Sequence, residues 1–269
     1  MSAVLDRILA DKRRRLERGE FAAPKPPAPS SDGARFVASL REPGVRIVAE
    51  FKARSPSAGE IVAGADGKVE TYALAYRRGH AAAISVVAEQ DHFGGKPEWV
   101  TRAKRISGLP VLMKDFVISE RQLDFAVFLG ADAVLLIVRA LSDRDLDRLR
   151  RGAAERRLAV VVEAHGVEEI PGAAAVDPDV LGVNARDLAS FETDVAALQG
   201  LAREIPPGPI RLAESGISSR RDVERLAAAG WEAFLVGESL LRAEDPEETL
   251  RELRGCPDNL SGRPRNVSE

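Results

Sequence analysis

An α/β fold, a (β/α)8 TIM barrel with an N-terminal helical extension, is predicted by three features of the sequence. From residue 46 onward, short apolar and β-branched runs alternate with longer amphipathic segments. The runs lack clean polar alternation, as strands covered on both faces of a parallel sheet do, and alternation of β and α units implies such a sheet. Eight of these runs occur; that number closes a barrel, whereas a doubly wound sheet usually has about five or six strands. No GxGxxG follows the first run, so a dinucleotide-binding sheet has no support.

Taken in order, residues 3–18 read as a helix with Val4, Leu5, Ile8, Leu9 and Leu16 as a partial apolar stripe. The cluster Arg13-Arg14-Arg15 is a solvated helix face, because acidic residues flank it and no aromatic residue interleaves it. Residues 21–34 form a Pro/Ala-rich connector, followed by a short helix at 36–40. Strands are expected at 47–51, 83–87, 110–113, 133–138, 159–162, 180–183, 210–213 and 233–236. Helical patterns lie between them at 69–78, 120–129, 143–155, 195–204 and 219–229. Ser119, Ser142, Thr193 and Ser218 supply entry caps, and Gly79, Gly130 and Gly230 supply exits. The domain organisation expected is an extension and connector over 1–45, a catalytic barrel over 46–254 and a polar tail over 255–269.

Composition narrows the function. Lys+Arg number 39 against 42 Asp+Glu, a formal charge of −3, so no global positive field draws nucleic acid. A single cysteine, Cys256, allows no internal disulfide, and CxxC pairs for zinc are absent, so no metal site is expected. The first twenty residues carry charge throughout and lack a signal-peptide core. The apolar run 134–138 is far too short to cross a bilayer. A soluble cytoplasmic protein without a membrane partner is the expectation.

Active sites of such barrels lie where the strands end, so the residue closing each run carries the information. Glu50 and Lys52 end the first run on one face, and Lys114 ends the third. Glu163 ends the fifth, Asn184 the sixth with Arg186 two residues on, Glu214 the seventh, and Gly237-Glu238-Ser239 follows the eighth. Any one of these could be only the first exposed position of a strand, or part of a fixed ion pair. Recurrence on one rim favours chemistry, as does lysine usage: the chain has seven Lys against 32 Arg, and two of the seven sit here. An ammonium can be tuned to give and take protons, whereas a guanidinium stays charged. Ser215-Gly216 and Gly237-Glu238 would present backbone N–H groups to a phosphate, and Ser55 in the long first loop could add a hydroxyl. Glycines at 59, 64 and 67 make that loop a candidate lid. His80, His92 and His165 are weak candidates; only His165 is near the rim, as a neighbour of Glu163.

The segment Ile47-Val48-Ala49-Glu50-Phe51-Lys52-Ala53-Arg54-Ser55-Pro56-Ser57 resembles the signature of the indole-3-glycerol phosphate synthase family. The resemblance continues in order through Ser85, Phe93-Gly94-Gly95, Pro110-Val111-Leu112-Met113-Lys114-Asp115-Phe116 and the run 133–138. It then takes in Val162-Glu163-Ala164-His165, Gly182-Val183-Asn184-Ala185-Arg186-Asp187-Leu188, Ala213-Glu214-Ser215-Gly216-Ile217 and Val236-Gly237-Glu238-Ser239-Leu240. It implies conversion of 1-(2-carboxyphenylamino)-1-deoxyribulose 5-phosphate to indole-3-glycerol phosphate, CO₂ and water, without a cofactor. Under the resemblance Lys114 is the general acid, Glu163 the base, and Glu50 and Lys52 acid/base or electrostatic groups. Asn184, Arg186 and Glu214 would orient the substrate, and Phe93, Phe116 and Leu135 would hold its aromatic ring. Ser55, Ser215, Gly216, Gly237 and Glu238 would frame the phosphate, Glu238 through its backbone N–H. Met113 and Ala185 stand where more polar residues are expected, and residues 62–66 leave the usual pattern.

Alternatives are a Schiff-base aldolase using Lys114 as nucleophile and a barrel that binds phosphate ligands without turnover. A phosphoribosyl-anthranilate isomerase has less support, because its Cys/Asp pair has no counterpart. The partner expected is a phosphorylated small molecule. The sequence leaves oligomeric state open, with a monomer as the working expectation.

Overall fold

The structure, a computed structural model, describes residues 3–23, 31–186 and 195–255. Residues 24–30 of the Pro/Ala-rich connector, Asp187, Leu188, Thr193, Cys256 and the rest of the tail from 256 onward lie outside them. Strands β1 (Arg46–Phe51), β4 (Ala83–Val87), β5 (Val111–Lys114), β6 (Ala133–Ile137), β7 (Ala159–Ala164), β8 (Val180–Asn184), β9 (Ile210–Glu214) and β10 (Ala233–Val236) form a closed barrel in chain order. Every pairing is parallel, and β1 meets both β10 and β4 to complete the ring. The two remaining strands, β2 (Arg54–Ser55) and β3 (Gly59–Glu60), make a small antiparallel hairpin in the loop after β1.

Period 2 divides each strand between two cores. Ile47, Ala49, Ile84, Val86, Val111, Met113, Val134, Leu136, Val160 and Val162 face outward into the layer covered by helices. Val48, Leu112, Leu135, Val161, Leu212 and Leu235 fill the barrel interior. Continuing the interior parity past each apolar stretch gives Glu50, Lys114, Glu163, Asn184, Glu214 and Gly237. The polar residues at the mouth are therefore the top layer of the barrel's own inward-facing side chains.

The outer helices include α3 (Val69–Arg78), α4 (Glu98–Ser107), α5 (Glu120–Leu129), α6 (Asp143–Glu155), α9 (Arg220–Ala228) and α11 (Pro246–Arg254). Ser119 and Ser142 cap α5 and α6 as expected. The cap of α9 is Ser219 rather than Ser218, in a reciprocal capping box with Asp222. Helix α4 did not emerge from the sequence pattern, and the helix expected at 195–204 is only α8 (Leu198–Leu201) flanked by turns. Between β7 and β8 the helical segment is likewise short, α7 (Ile170–Ala175). No helix among the described residues is long and apolar enough to cross a membrane.

The N-terminal segment covers both ends of the barrel. Helix α1 (Ala3–Glu17) packs Leu5, Ile8 and Leu9 beside Phe93 and Phe116 at the mouth. Its Lys12, itself buried, reaches Asp115 Oδ1 at 2.7 Å, and Arg15 reaches Asp91 at 3.3 Å. Helix α2 (Gly33–Arg41) closes the opposite end with Phe36 and Leu40. Gly33 donates its N–H to Arg157 O at 2.9 Å. A Cβ at Gly33 would lie 2.4 Å from Ala159 N, so only glycine lets the backbones approach this closely.

Candidate active site

A cavity of about 370 Å³ opens at the C-terminal mouth of the barrel. Glu50, Lys52, Ser55, Phe93, Lys114, Phe116, Leu135, Glu163, Asn184, Arg186, Glu214, Ser215, Gly216, Gly237 and Glu238 all line it. Every site residue expected from the sequence is therefore brought to one place.

At the floor, Lys114 donates to Glu163 Oε2 at 2.9 Å and to Glu214 Oε2 at 2.8 Å. Beside it, Lys52 donates to Glu50 Oε1 at 2.7 Å. All three carboxylates are buried. Burial raises a carboxyl pKa and a nearby ammonium lowers it, so Lys52 and Lys114 hold Glu50 below its ordinary value against its desolvation. Glu163 and Glu214 share one lysine, and they do not share it equally. Burial and the neighbouring Glu163 charge push Glu214 up to about 8 despite Lys114. Lys114 and His165 outweigh burial at Glu163 and hold it at about 2. The two acids therefore titrate as a pair, with the proton affinity of Glu214 raised and that of Glu163 lowered. Oε1 of Glu214 is buried and has no hydrogen-bond partner among the described residues. Gly182 makes room for it: a Cβ there would lie 2.2 Å from that oxygen.

Burial alone would lower the Lys114 pKa, but Glu163, Glu214 and Glu50 raise it above its ordinary value. A Schiff-base nucleophile needs the opposite shift, so the surroundings of Lys114 argue against the aldolase alternative.

Toward the opening, Asn184 Oδ1 accepts from Ser215 Oγ at 2.6 Å and from the Arg186 backbone N–H at 3.0 Å. Arg186 Nη1 donates to Ser57 Oγ at 2.8 Å, and its Nη2 lies 3.6 Å from Glu238 Oε2. Ser215 and Gly216 both have positive φ, +71° and +75°, so two successive residues turn the chain just past β9. Gly237 precedes the short helix α10 (Glu238–Arg242), and a Cβ at Gly237 would lie 2.8 Å from Glu50 Oε1. The Glu238 carboxylate accepts from Arg242 Nε at 2.9 Å. On the other wall, the Phe93 and Phe116 rings sit 6.3 Å apart, with Leu135 and Ile137 also lining the cavity.

The sequence reading did not find Ser57, Ile137, Leu235 or Arg242, which also line the cavity. Ile137 and Leu235 look like any core residue. Arg242 had a signal, because it stands four residues after Glu238 and so on the same helical face.

An apolar wall, an ammonium between buried acids and a cluster of Ser, Gly and Arg converge in this cavity. Together with the fold they define a barrel enzyme of acid–base chemistry. The sequence profile of the indole-3-glycerol phosphate synthase family matches residues 5–253. The chain is 42% identical over 262 residues to the indole-3-glycerol phosphate synthase of Koribacter versatilis, spanning 95% of this chain and 100% of that one. It is 40% identical over 258 residues to that of Geobacillus thermodenitrificans, spanning 95% and 98%. The chain belongs to the indole-3-glycerol phosphate synthase family, and its activity is that decarboxylating lyase reaction of tryptophan biosynthesis, on a phosphorylated small molecule. Among solved structures, a 3-hexulose-6-phosphate synthase superposes with TM-score 0.61 at 16% identity over 79% of this chain and 99% of that one. A thiamine phosphate pyrophosphorylase from Pyrococcus furiosus gives 0.59 at 17%, over 82% and 96%. These two likenesses concern the fold alone.

Proposed function

We propose that the mouth residues divide the conversion of 1-(2-carboxyphenylamino)-1-deoxyribulose 5-phosphate as follows. Lys114 protonates the ribulose carbonyl oxygen while the ring carbon bearing the carboxylate attacks the carbonyl carbon. The C–CO₂ bond then breaks, its electron pair restores the benzene ring, and CO₂ leaves. Glu163 takes a proton from the five-membered ring while the hydroxyl departs as water, its proton supplied by the Lys52/Glu50 pair or by Glu214. Phe93, Phe116 and Leu135 hold the aromatic ring, Asn184, Arg186 and Glu214 orient the polar groups, and Ser55, Ser215, Gly216, Gly237 and the Glu238 backbone receive the phosphate.

The observation that carries this reading is the single ammonium of Lys114 between Glu163 and Glu214, 2.9 and 2.8 Å away. An ionised and a protonated carboxyl then coexist on one lysine, so acid and base are available together near neutral pH. The net charge of −3 supports a role without a nucleic-acid partner, and a cytoplasmic location without a membrane partner is part of the same reading. No step drawn here requires a cofactor. On the same reading residues 1–45 are an extension of the barrel at 46–254, and 255–269 a tail.

The test is indole fluorescence on mixing purified protein with the carboxyphenylamino-deoxyribulose phosphate and no added metal or cofactor. The signal rises with the native chain. Lys114→Met and Glu163→Gln lower turnover by about 10²–10⁴ while both still bind the substrate. Equal weakening of binding and turnover in Lys114→Met would remove it from the role of acid.

A further inference from the structure

We propose that His165, which does not line the cavity, is a positioning residue that holds the rear oxygen of Glu163 and keeps that carboxylate ionised once Lys114 turns to the substrate. This rests on the reading of Glu163 as the base. His165 follows Glu163 by two residues, on the same inward parity, just past the end of β7. Its side chain is fully buried, and Nε2 lies 3.2 Å from Glu163 Oε1, the oxygen opposite the one held by Lys114. The contact is out of line for a hydrogen bond, and neither ring nitrogen has a hydrogen-bond partner among the described residues.

A buried, unsatisfied polar group costs about 1–3 kcal/mol, so a histidine in this position calls for a partner. Two carboxylates face it. Glu169 Oε2 lies 3.9 Å from Nδ1, but Glu169 already accepts the His165 backbone N–H at 2.9 Å and pairs with Arg139. Glu163 is the carboxylate whose other support is the lysine that the reaction engages. Burial holds the imidazole pKa down, with Arg139 and Lys114 acting in the same direction and Glu163 and Glu169 opposing them. The ring is therefore neutral at pH 7 and carries one N–H. A small ring rotation directs that N–H from Nε2 to Glu163 Oε1. The row Lys114, Glu163, His165, Glu169, Arg139 then alternates cation, anion, neutral donor, anion and cation from the cavity floor outward.

The groups facing Glu163 are Lys114 from β5, Glu214 from β9, Glu50 from β1 and His165 itself. Those facing His165 are Glu163, Glu169, Arg139 and Lys114. A hydrogen bond to the ionised form lowers a carboxyl pKa, so its loss moves the acid limb of turnover to higher pH.

The experiment is the pH profile of kcat, with KM measured alongside, for the native chain and for His165→Phe, His165→Gln and His165→Asn. Glutamine places an amide nitrogen where Nε2 stands, and asparagine places it where Nδ1 stands. The expected result is an acid limb raised by about one unit in the Phe and Asn variants, a tenfold loss of kcat below it. KM should be unchanged, and the Gln variant should return to the native profile. If the Phe variant does not fold, the Gln–Asn difference decides alone. Profiles that overlay, or a Gln variant shifted as far as Asn, overturn the proposal. Glu163→Gln with native turnover would instead overturn the base reading beneath it, so the two failures are told apart.

Discussion

The two ends of the barrel both carry carboxylates, and they use them differently. At the end closed by α2, Asp132, Asp179 and Glu232 stand immediately before β6, β8 and β10. Each accepts a backbone N–H from the start of the preceding strand: Val111 at 2.9 Å, Val160 at 2.9 Å and Arg211 at 3.0 Å. These donors cannot move, so the acids there fix the stagger of neighbouring strands. At the mouth, Glu50, Glu163 and Glu214 are held by the side-chain ammonium groups of Lys52 and Lys114. A four-carbon stem can swing its charge from a carboxylate to a substrate. Glu89 shows that partner type matters more than location. It lines the mouth, yet accepts the N–H groups of Asp91, His92 and Phe93 and so builds the loop that carries the Phe93 ring. An acid that accepts backbone N–H groups is scaffold even when a lysine also reaches it, as Lys104 reaches Asp132 and Lys12 reaches Asp115. Glu50, Glu163 and Glu214, held by side-chain groups alone, are free for chemistry.

The largest effect that could break this contrast is at Asp132. Its carboxylate accepts from Val111 N at 2.9 Å, Asp32 N at 2.9 Å and Lys104 Nζ at 2.7 Å, tying together β5, α4 and the entry to α2. Asp132→Ala leaves buried donors unmet and should cost about 3 kcal/mol of stability, read from the denaturant midpoint, with turnover at 25 °C within about twofold of native. Loss of turnover in a chain of native stability would erase the distinction between the ends.

A smaller effect, of opposite character, is expected at Gly182. The added Cβ of Gly182→Ala would stand 2.2 Å from Glu214 Oε1 and must displace that carboxylate from Lys114. A shift of about 1 Å at a reacting group can cost on the order of 100-fold in rate. Turnover should therefore fall about 10- to 100-fold, while stability drops by only about 1–2 kcal/mol as the side chain repacks. Steady-state kinetics beside a melting curve would show whether the substitution acts on the site or on the scaffold.

The mouth was the more legible end. Its acids and lysines continue the inward parity of apolar runs, so Glu50, Lys114, Glu163 and Glu214 could be placed from period 2 alone. Roles within the mouth were not legible in that way: the resemblance supplied them, and the unequal sharing of a proton between Glu163 and Glu214 needed their common contact with Lys114. The opposite end was opaque. Asp132, Asp179 and Glu232 are ordinary turn residues in the sequence, and the backbone groups they accept are separated by 19 to 21 positions. Helix α2 was seen as a short helix, but its place under the barrel depends on Gly33 meeting β7, which no local pattern encodes. The helix expected at 195–204 shrank to Leu198–Leu201, with Gly200 inside it and Pro206-Pro207 following, so short-range breakers prevailed over periodicity.

The sharpest form of the contrast is a trade between stability and activity at Glu214. A carboxyl raised to about 8 in the folded chain, from an ordinary 4.5, binds a proton there that the unfolded chain has released. Between those values the native state holds more protons than the unfolded state, so stability falls as pH rises. Below 4.5 the sign reverses, because Glu163 at about 2 binds fewer protons folded than unfolded. Glu214→Gln replaces the protonated acid with a neutral group of the same shape and removes the first of these slopes. Relative to the native chain it should gain stability steadily from pH 5 to pH 8, by at most about 1.4 kcal/mol per pH unit, while losing turnover. Denaturant midpoints at a series of pH values measure the difference directly. A constant offset across that range would mean that Glu214 is ionised like Glu163 and that Lys114 serves both acids equally. A rising difference would place the shared proton on Glu214 and show that the mouth gives up stability for an acid held ready beside the lysine.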